Sequence, residues 1–313
     1  MEPTRRTCMR RFQPVLHSIS YAGVWPGQAA LTVDDFLRKA VELEFARVAL
    51  VAKRPHVSPL DYGRDARREL RAKLADHGLE LAAMMGYSDF TAGLENPGIP
   101  SAEMNAAYIG VLAGLASDLG TSRLRIFTGY YKSSLGYDAQ YGELVKGLRL
   151  AAREAANCGV TLMVQNHHDL ACHHDQFVTL LEDVGESNVR AAFDAWAPHL
   201  QGVRGEELLR AVEKVGPWIE FTTVADYEVQ ARFRYDAQRV NYVREEPAYV
   251  RAVAPGCGQI DYPAFFEGLR RAGYQGPVAY EMCAALKGGG GMENLDRTAR
   301  AFLRFLDSME QKS

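Results

Sequence analysis

The sequence has no run of 18 apolar residues, so no helix of it is expected to cross a membrane. It has no CxxC pair either. Its five cysteines (Cys8, Cys158, Cys172, Cys257 and Cys283) are dispersed, which argues for reduced thiols and against a disulfide scaffold or structural zinc. A GxGxxG after the first strand, a Walker motif, a GxSxG elbow and an HExxH are all missing, so the obvious dinucleotide, P-loop, hydrolase and zincin classes have no support. There is no surplus of one charge: 36 Lys and Arg against 39 Asp and Glu leave −3, which gives no reason to invoke nucleic acid or an anionic membrane. The opening MEPTRRTCMRR is basic but leads into no long apolar stretch, so a cytoplasmic protein is expected.

What is present is a regular alternation. The 313 residues, 47% of them hydrophobic, can fill one large barrel or two smaller domains. Short apolar runs predict strands at 14–20, 46–51, 79–84, 123–127, 160–164, 189–193, 218–224 and 277–280. Helical spacing predicts helices at 33–43, 64–77, 101–119, 139–157, 173–184, 205–215, 261–272 and 292–309. Thr32 is placed to cap the first of these, and Ser101 with Glu103 resembles a cap region. Eight strands alternating with eight helices predict an α/β fold, a single-domain (β/α)8 TIM barrel over 13–313 after an N-terminal extension, 1–12. A doubly wound open sheet is the competing fold. One connection, about 225–260, is too long for the pattern and rich in Tyr and Arg; it reads as a lid or substrate loop, or as a subunit contact. The run Gly288–Gly291 before the last helix reads as a phosphate loop or a flexible hinge.

Gly159–Asp169, GVTLMVQNHHD, organises the chemistry. An apolar strand ends abruptly in Gln165, Asn166, His167, His168 and Asp169, at the strand end where a parallel barrel carries its active site. Alternation pairs Gln165 with His167 on one face, continuing Met163 into the barrel, and Asn166 with His168 on the other. Other strand ends contribute His17, Lys53, His56, Tyr87, Asp194, Thr223, Asp226 and Glu281. Asp194 and Glu281 follow the buried runs AAF and PVAY, where an unpaired carboxylate is costly; each needs an arginine, a proton or a shared divalent metal. His167 is open to three roles: metal ligand, proton donor or hydrogen-bonded core residue. His173 and His174, opening the next helix, are expected to face solvent. Trp196, close after Asp194, is suited to wall a pocket, and His56 and Tyr87 to hydrogen-bond hydroxyls.

The segments GVTLMVQNHH, RAAFDAW, TTVADY and GCGQIDYPAFFEGLRRAGYQGPVAYE together resemble the xylose-isomerase-like barrel superfamily of sugar isomerases, ketose epimerases and dehydratase-like lyases. The resemblance spans nearly the whole chain. It implies metal ligation by Asp194 and Glu281, with Gln165 third, and substrate contact by Arg232. Two departures accompany it: Gln165 stands where the family usually has glutamate, and Thr223 where it usually has histidine. His199, five residues past Asp194, is an alternative source of the missing nitrogen. The implied cofactor is a divalent ion (Mn, Mg, Co or Zn), and the implied partner is a small sugar or polyol, with a homo-oligomer common in such proteins.

A glutamine cannot take up a proton, so a symmetric two-carboxylate epimerase is disfavoured. The expected activity is isomerisation or epimerisation of a keto-sugar by proton abstraction next to a carbonyl, with Glu281 as base and His167 or His168 on the opposite face. The alternatives are a keto-sugar lyase or hydratase, and a catalytically silent sugar-binding barrel.

Overall fold

The computed structural model describes residues 10–96 and 98–311. The basic opening and Cys8 lie outside them. Eight parallel strands close a barrel: β1 (Gln13–His17), β2 (Arg47–Val51), β3 (Glu80–Met85), β4 (Arg123–Ile126), β5 (Thr161–Gln165), β6 (Val189–Ala192), β7 (Ile219–Val224) and β10 (Pro277–Tyr280). β1 pairs with both β2 and β10, so no edge strand is left in the barrel. The outer helices are α1 (Val33–Glu42), α2 (Arg64–Asp76), α3 (Ser101–Leu119), α4 (Tyr137–Ala156), α5 (His174–Val184), α7 (Gly205–Val215), α8 (Tyr262–Arg271) and α9 (Met292–Gln311), with a short α6 (Trp196–Leu200) after β6.

Local chemistry explains most boundaries. Thr32 caps α1 by accepting the Asp35 N–H at 3.1 Å. Gly120, at φ 93°, ends α3 in the left-handed conformation that a Cβ disfavours. The expected cap at Ser101 is absent: Pro100 occupies that position and no side chain caps α3. Residues 10–12 pack onto the barrel's C-terminal helix, Arg10 pairing with Asp307 at 2.9 Å and the buried Phe12 donating its N–H to Glu310. Inward-facing side chains alternate in size: Ala49, Ala83, Ala192 and Ala279 interleave with Met85, Met163 and Phe221 in one buried cluster.

Two sequence expectations need correction. The 225–260 connection is not a structureless loop: it is an antiparallel hairpin, β8 (Asp226–Asp236) and β9 (Asn241–Val253), with Tyr235 opposite Tyr242. The Gly288–Gly291 run is pinned at one residue, the buried Gly290, while Gly288, Gly289 and Gly291 are exposed. A Cβ on Gly290 would lie 2.5 Å from the Gln28 Cα, and Ala29 donates its N–H to Gly290 O at 2.8 Å.

Asp226 anchors the hairpin instead of facing a substrate. It is buried, and its carboxylate accepts the N–H groups of Tyr227 (2.9 Å), Gly256 (2.9 Å) and Gly258 (2.8 Å). Replacing it with alanine leaves those donors unpaired beneath the hairpin. Asp226→Ala is therefore expected to destabilise the fold by about 2–4 kcal/mol in urea unfolding. Wild-type stability in that variant would remove the anchoring role.

Candidate active site

Hydrogen bonds between neighbouring strand ends fix the top of the barrel. The Asn166 side chain clamps β5 to β6, accepting the Asp194 N–H at 2.8 Å and donating to Asp194 O at 3.0 Å. Thr222 Oγ1 donates to Phe193 O at 2.7 Å, tying β7 to β6. Past β10, Glu281 donates its N–H to Val224 O at 3.0 Å, and Met282 donates its own to Ser20 Oγ, also at 3.0 Å. These clamps point Gln165, Asp194, Thr223 and Glu281 into one cleft, together with Phe127, His167, Trp196, Tyr227, Tyr262 and Cys283.

Asp194 and Glu281 thus share a cleft, and each is buried. Among the described residues no arginine or lysine comes within 4.0 Å of either carboxylate, and the one cationic type that does is a histidine, His17, at 3.7 Å from Glu281 Oε1. The Asp194 oxygens instead accept Gln165 Nε2–H at 2.6 Å and Trp196 N–H at 2.9 Å. Gln165 Oε1 is left buried without a hydrogen-bond partner. Two carboxylates lacking a cation, beside an orphaned carbonyl oxygen, form a donor set that fits a hard, oxygen-preferring divalent ion.

His17, little used in the sequence reading, is fully buried beside Glu281. Its Nδ1 accepts the Ile19 N–H at 3.1 Å, which leaves the proton on Nε2, facing Glu281. Burial holds this imidazole well below its ordinary range, helped by Arg125, His56 and Lys53, so the ring is neutral. Cys283 and Tyr227 also adjoin Glu281; burial and the Glu281 charge hold the thiol protonated.

The other predicted site residues divide sharply. Trp196 lines the cleft, its ring tilted against Tyr227 with the centres 4.0 Å apart. His167 lines it as well, but His168 does not. A φ of 70° at His168 turns its ring away, between Phe127 (4.2 Å) and Tyr130 (4.3 Å). His56 is buried outside the cleft lining, its Nε2 3.1 Å from Leu31 O. Tyr87 sits one layer out, under the Lys53 ammonium at 3.8 Å and edge-on to Phe127. Arg232 is not brought to the cleft; it is exposed on the hairpin opposite Glu245 and donates to Pro247 O at 3.2 Å. His199 stacks behind Trp196 at 5.7 Å and is no cleft wall. His174, expected in solvent, is buried; with His173 and Asp175 it forms a close trio at the start of α5, where Lys214 already pairs with Asp175 at 2.7 Å. Phe127, Tyr262 and Cys283 were missed as cleft walls. Phe127 and Cys283 lie just past strand ends and Tyr262 opens α8, but none carries a charge that singles it out.

The displaced histidines carry a pH signature. Burial pushes His168 down to about 4, helped by His167 and Arg125, and burial lowers His56 as well. Unfolded, both titrate near 6.5. Between those values the unfolded chain binds more protons, so stability falls as pH drops from about 6.5 to 4. Melting temperature against pH should show this fall, and His168→Asn, which tolerates the positive φ, should flatten it. An unchanged slope in that variant would count against the assignment.

Comparison with known proteins agrees with this architecture. A curated relative, the 2-oxo-tetronate isomerase of Cupriavidus necator, is 24% identical over 225 residues, 69% of this chain and 77% of its own. The solved structure of D-psicose 3-epimerase with D-tagatose from Clostridium cellulolyticum H10 superposes with a TM-score of 0.71 at 17% identity, covering 96% of this chain and 99% of that one. A xylose isomerase domain protein from Alicyclobacillus acidocaldarius gives 0.68 at 20% identity, with 96% and 99% covered. The family model of the xylose isomerase-like TIM barrel matches residues 37–309, and the chain belongs to that family.

Proposed function

We propose that this protein is an isomerase or epimerase acting on a keto-sugar by moving a proton at the carbon next to a carbonyl. The observation that carries the reading is the pair of buried carboxylates, Asp194 and Glu281, open to one cleft without a lysine or arginine partner among the described residues. Glu281 is the base. Its position one residue past β10 holds it at the cleft wall, and the neutral His17, its Nε2 3.7 Å from Oε1 and so beyond hydrogen-bond reach, leaves the carboxylate unneutralised. Gln165 holds Asp194 in place through the 2.6 Å amide bond. His167, from the β5 side of the same cleft, is the group able to return or relay a proton. Trp196 offers an aromatic wall for the apolar face of a sugar. Asp194, Glu281 and Gln165 Oε1 are the atoms that would hold a divalent cation, which when bound polarises a carbonyl and acidifies the adjacent carbon.

The 2-oxo-tetronate isomerase and psicose 3-epimerase named above support this class, as both names describe rearrangement of a sugar-like carbonyl compound. A second reading, elimination of a hydroxyl, is favoured by His167, since an imidazole lining the same cleft as a carboxylate base is a second proton-transfer group of the kind a departing oxygen needs.

Incubation with ketoses in deuterated buffer tests the proposal. Deuterium entering recovered substrate, with formation of an isomer, is the expected result. Appearance of an enone without isomer would favour elimination, and absence of both with every ketose offered would set the proposal aside.

A further inference from the structure

The outward face of a barrel helix meets water and is ordinarily charged, but that of α3 is not. Its nineteen residues carry two charges, Glu103 near the start and Asp118 near the end, whereas the thirteen of α2 carry eight. Helical spacing puts Met104, Ala107, Tyr108 and Val111 on one side, at i, i+3, i+4 and i+7. That side faces outward: Met104 is 58% exposed, Val111 50% and Tyr108 38%. Ala107 is exposed too, and a Cβ added at Gly114 would meet nothing within 4 Å. The inward side, with Ile109, Leu112 and Ala116, is buried on the barrel. A helix that is apolar all round belongs where both sides are covered.

The borders of this face are polar and balanced. Glu103 pairs with Lys146 of α4 at 3.0 Å, and Asp118 with Arg67 of α2 at 2.9 Å. None of residues 104–117 is charged, so covering the centre of the face buries no ion. An apolar centre within a polar rim is how protein interfaces are built. Because the rim charges cancel in pairs, two identical copies of the face can meet without opposing like charges. The area is sufficient as well. With α2 and α4 beside it, α3 belongs to a helix layer about 28 Å long that presents about 800 Å², the amount each partner buries in an interface of standard size. Ala107 and Gly114 keep the face low enough for another helix to approach to about 8–10 Å. The hairpin also exposes aromatics, Phe233 and Tyr242, but Arg232, Arg234 and Arg244 stand beside them, and two copies of that surface would set arginine against arginine.

We propose that the outward face of α3 is the interface between two copies of this chain, related by a two-fold axis, with Met104, Tyr108 and Val111 at its centre. A two-fold contact uses the same patch twice, which an uncharged, self-matching face permits. The position leaves both clefts free. α3 lies outside β3 and β4, on the far wall of the closed barrel from β7 and β10, which carry Thr223 and Glu281.

Sedimentation equilibrium of the full chain tests this. The wild type is expected at twice the mass of one chain at micromolar concentration. Met104→Lys combined with Val111→Lys should bring it to the mass of one chain, with association weakened by about hundredfold or more. Helical circular dichroism should not change, because both side chains already meet solvent in the single chain. Val111→Gln, too mild to disturb the helix, should weaken association by about tenfold. Phe233→Ser on the hairpin should leave the dimer intact. A wild type at the mass of one chain overturns the proposal. So does a dimer that survives the double substitution with its fold intact, or one that the hairpin variant alone dissolves. Should the double variant fail to fold, undiminished association of Val111→Gln overturns it equally.

Discussion

Glu281→Gln is expected to reduce deuterium exchange into a bound ketose by about 10³-fold or more, the scale of losing a general base. Glutamine has the same shape, but it cannot hold an abstracted proton. The substitution lies at a strand end, and the backbone bond from Glu281 N to Val224 O does not depend on the side chain. Melting temperature and sugar binding should therefore stay near wild type while exchange collapses. Retained exchange would transfer the base role to another cleft residue, with His167 first in line.

Gln165→Glu is expected to act in the opposite sense on cation affinity. The wild-type amide donates to Asp194 Oδ2 at 2.6 Å; a glutamate there sets a second carboxylate against the first in a buried site. Like charges at that distance cannot both ionise without help, so one keeps a proton or the site spreads. In metal-free buffer the variant should lose about 2–4 kcal/mol of stability. Added Mn²⁺ or Mg²⁺ should restore it, with divalent affinity at least about tenfold above wild type, since the site gains a full charge at contact distance. Loss of stability that no divalent ion reverses would show that the cleft does not assemble a cation site.

Why these two positions were legible in the sequence, and others were not, is a matter of what alternation can carry. β5 kept its period of two through Met163, Gln165 and His167, so the inward face could be read one residue beyond the strand. The same alternation put His168 on the other face, and it does lie outside the cleft; what the sequence did not show is its positive φ, which no glycine marks. Asp194 and Glu281 were readable because each follows an apolar run that can only be a buried strand. Asp226 follows a similar run, but its carboxylate is consumed by backbone amides that come together only when the Gly256–Gly258 turn folds over it. The hairpin was missed although Phe233 and Tyr235 alternate with Arg232 and Arg234. Both faces of that ribbon are largely exposed, so it lacks the apolar side that marks a strand, and Pro247 within β9 argues against one. His17 was placed at a strand end, but its position beside Glu281 depends on pairing of the first strand with the last, a contact of high sequence separation.

Crystals grown with Mn²⁺ and a ketose, with the metal located by its anomalous signal, put the central claim to its most direct test. The account predicts a manganese peak within coordination distance of both Asp194 and Glu281 oxygens, with the ketose in the same cleft. A peak elsewhere, for example at His173, His174 and Asp175, with the ketose outside the cleft, would contradict it.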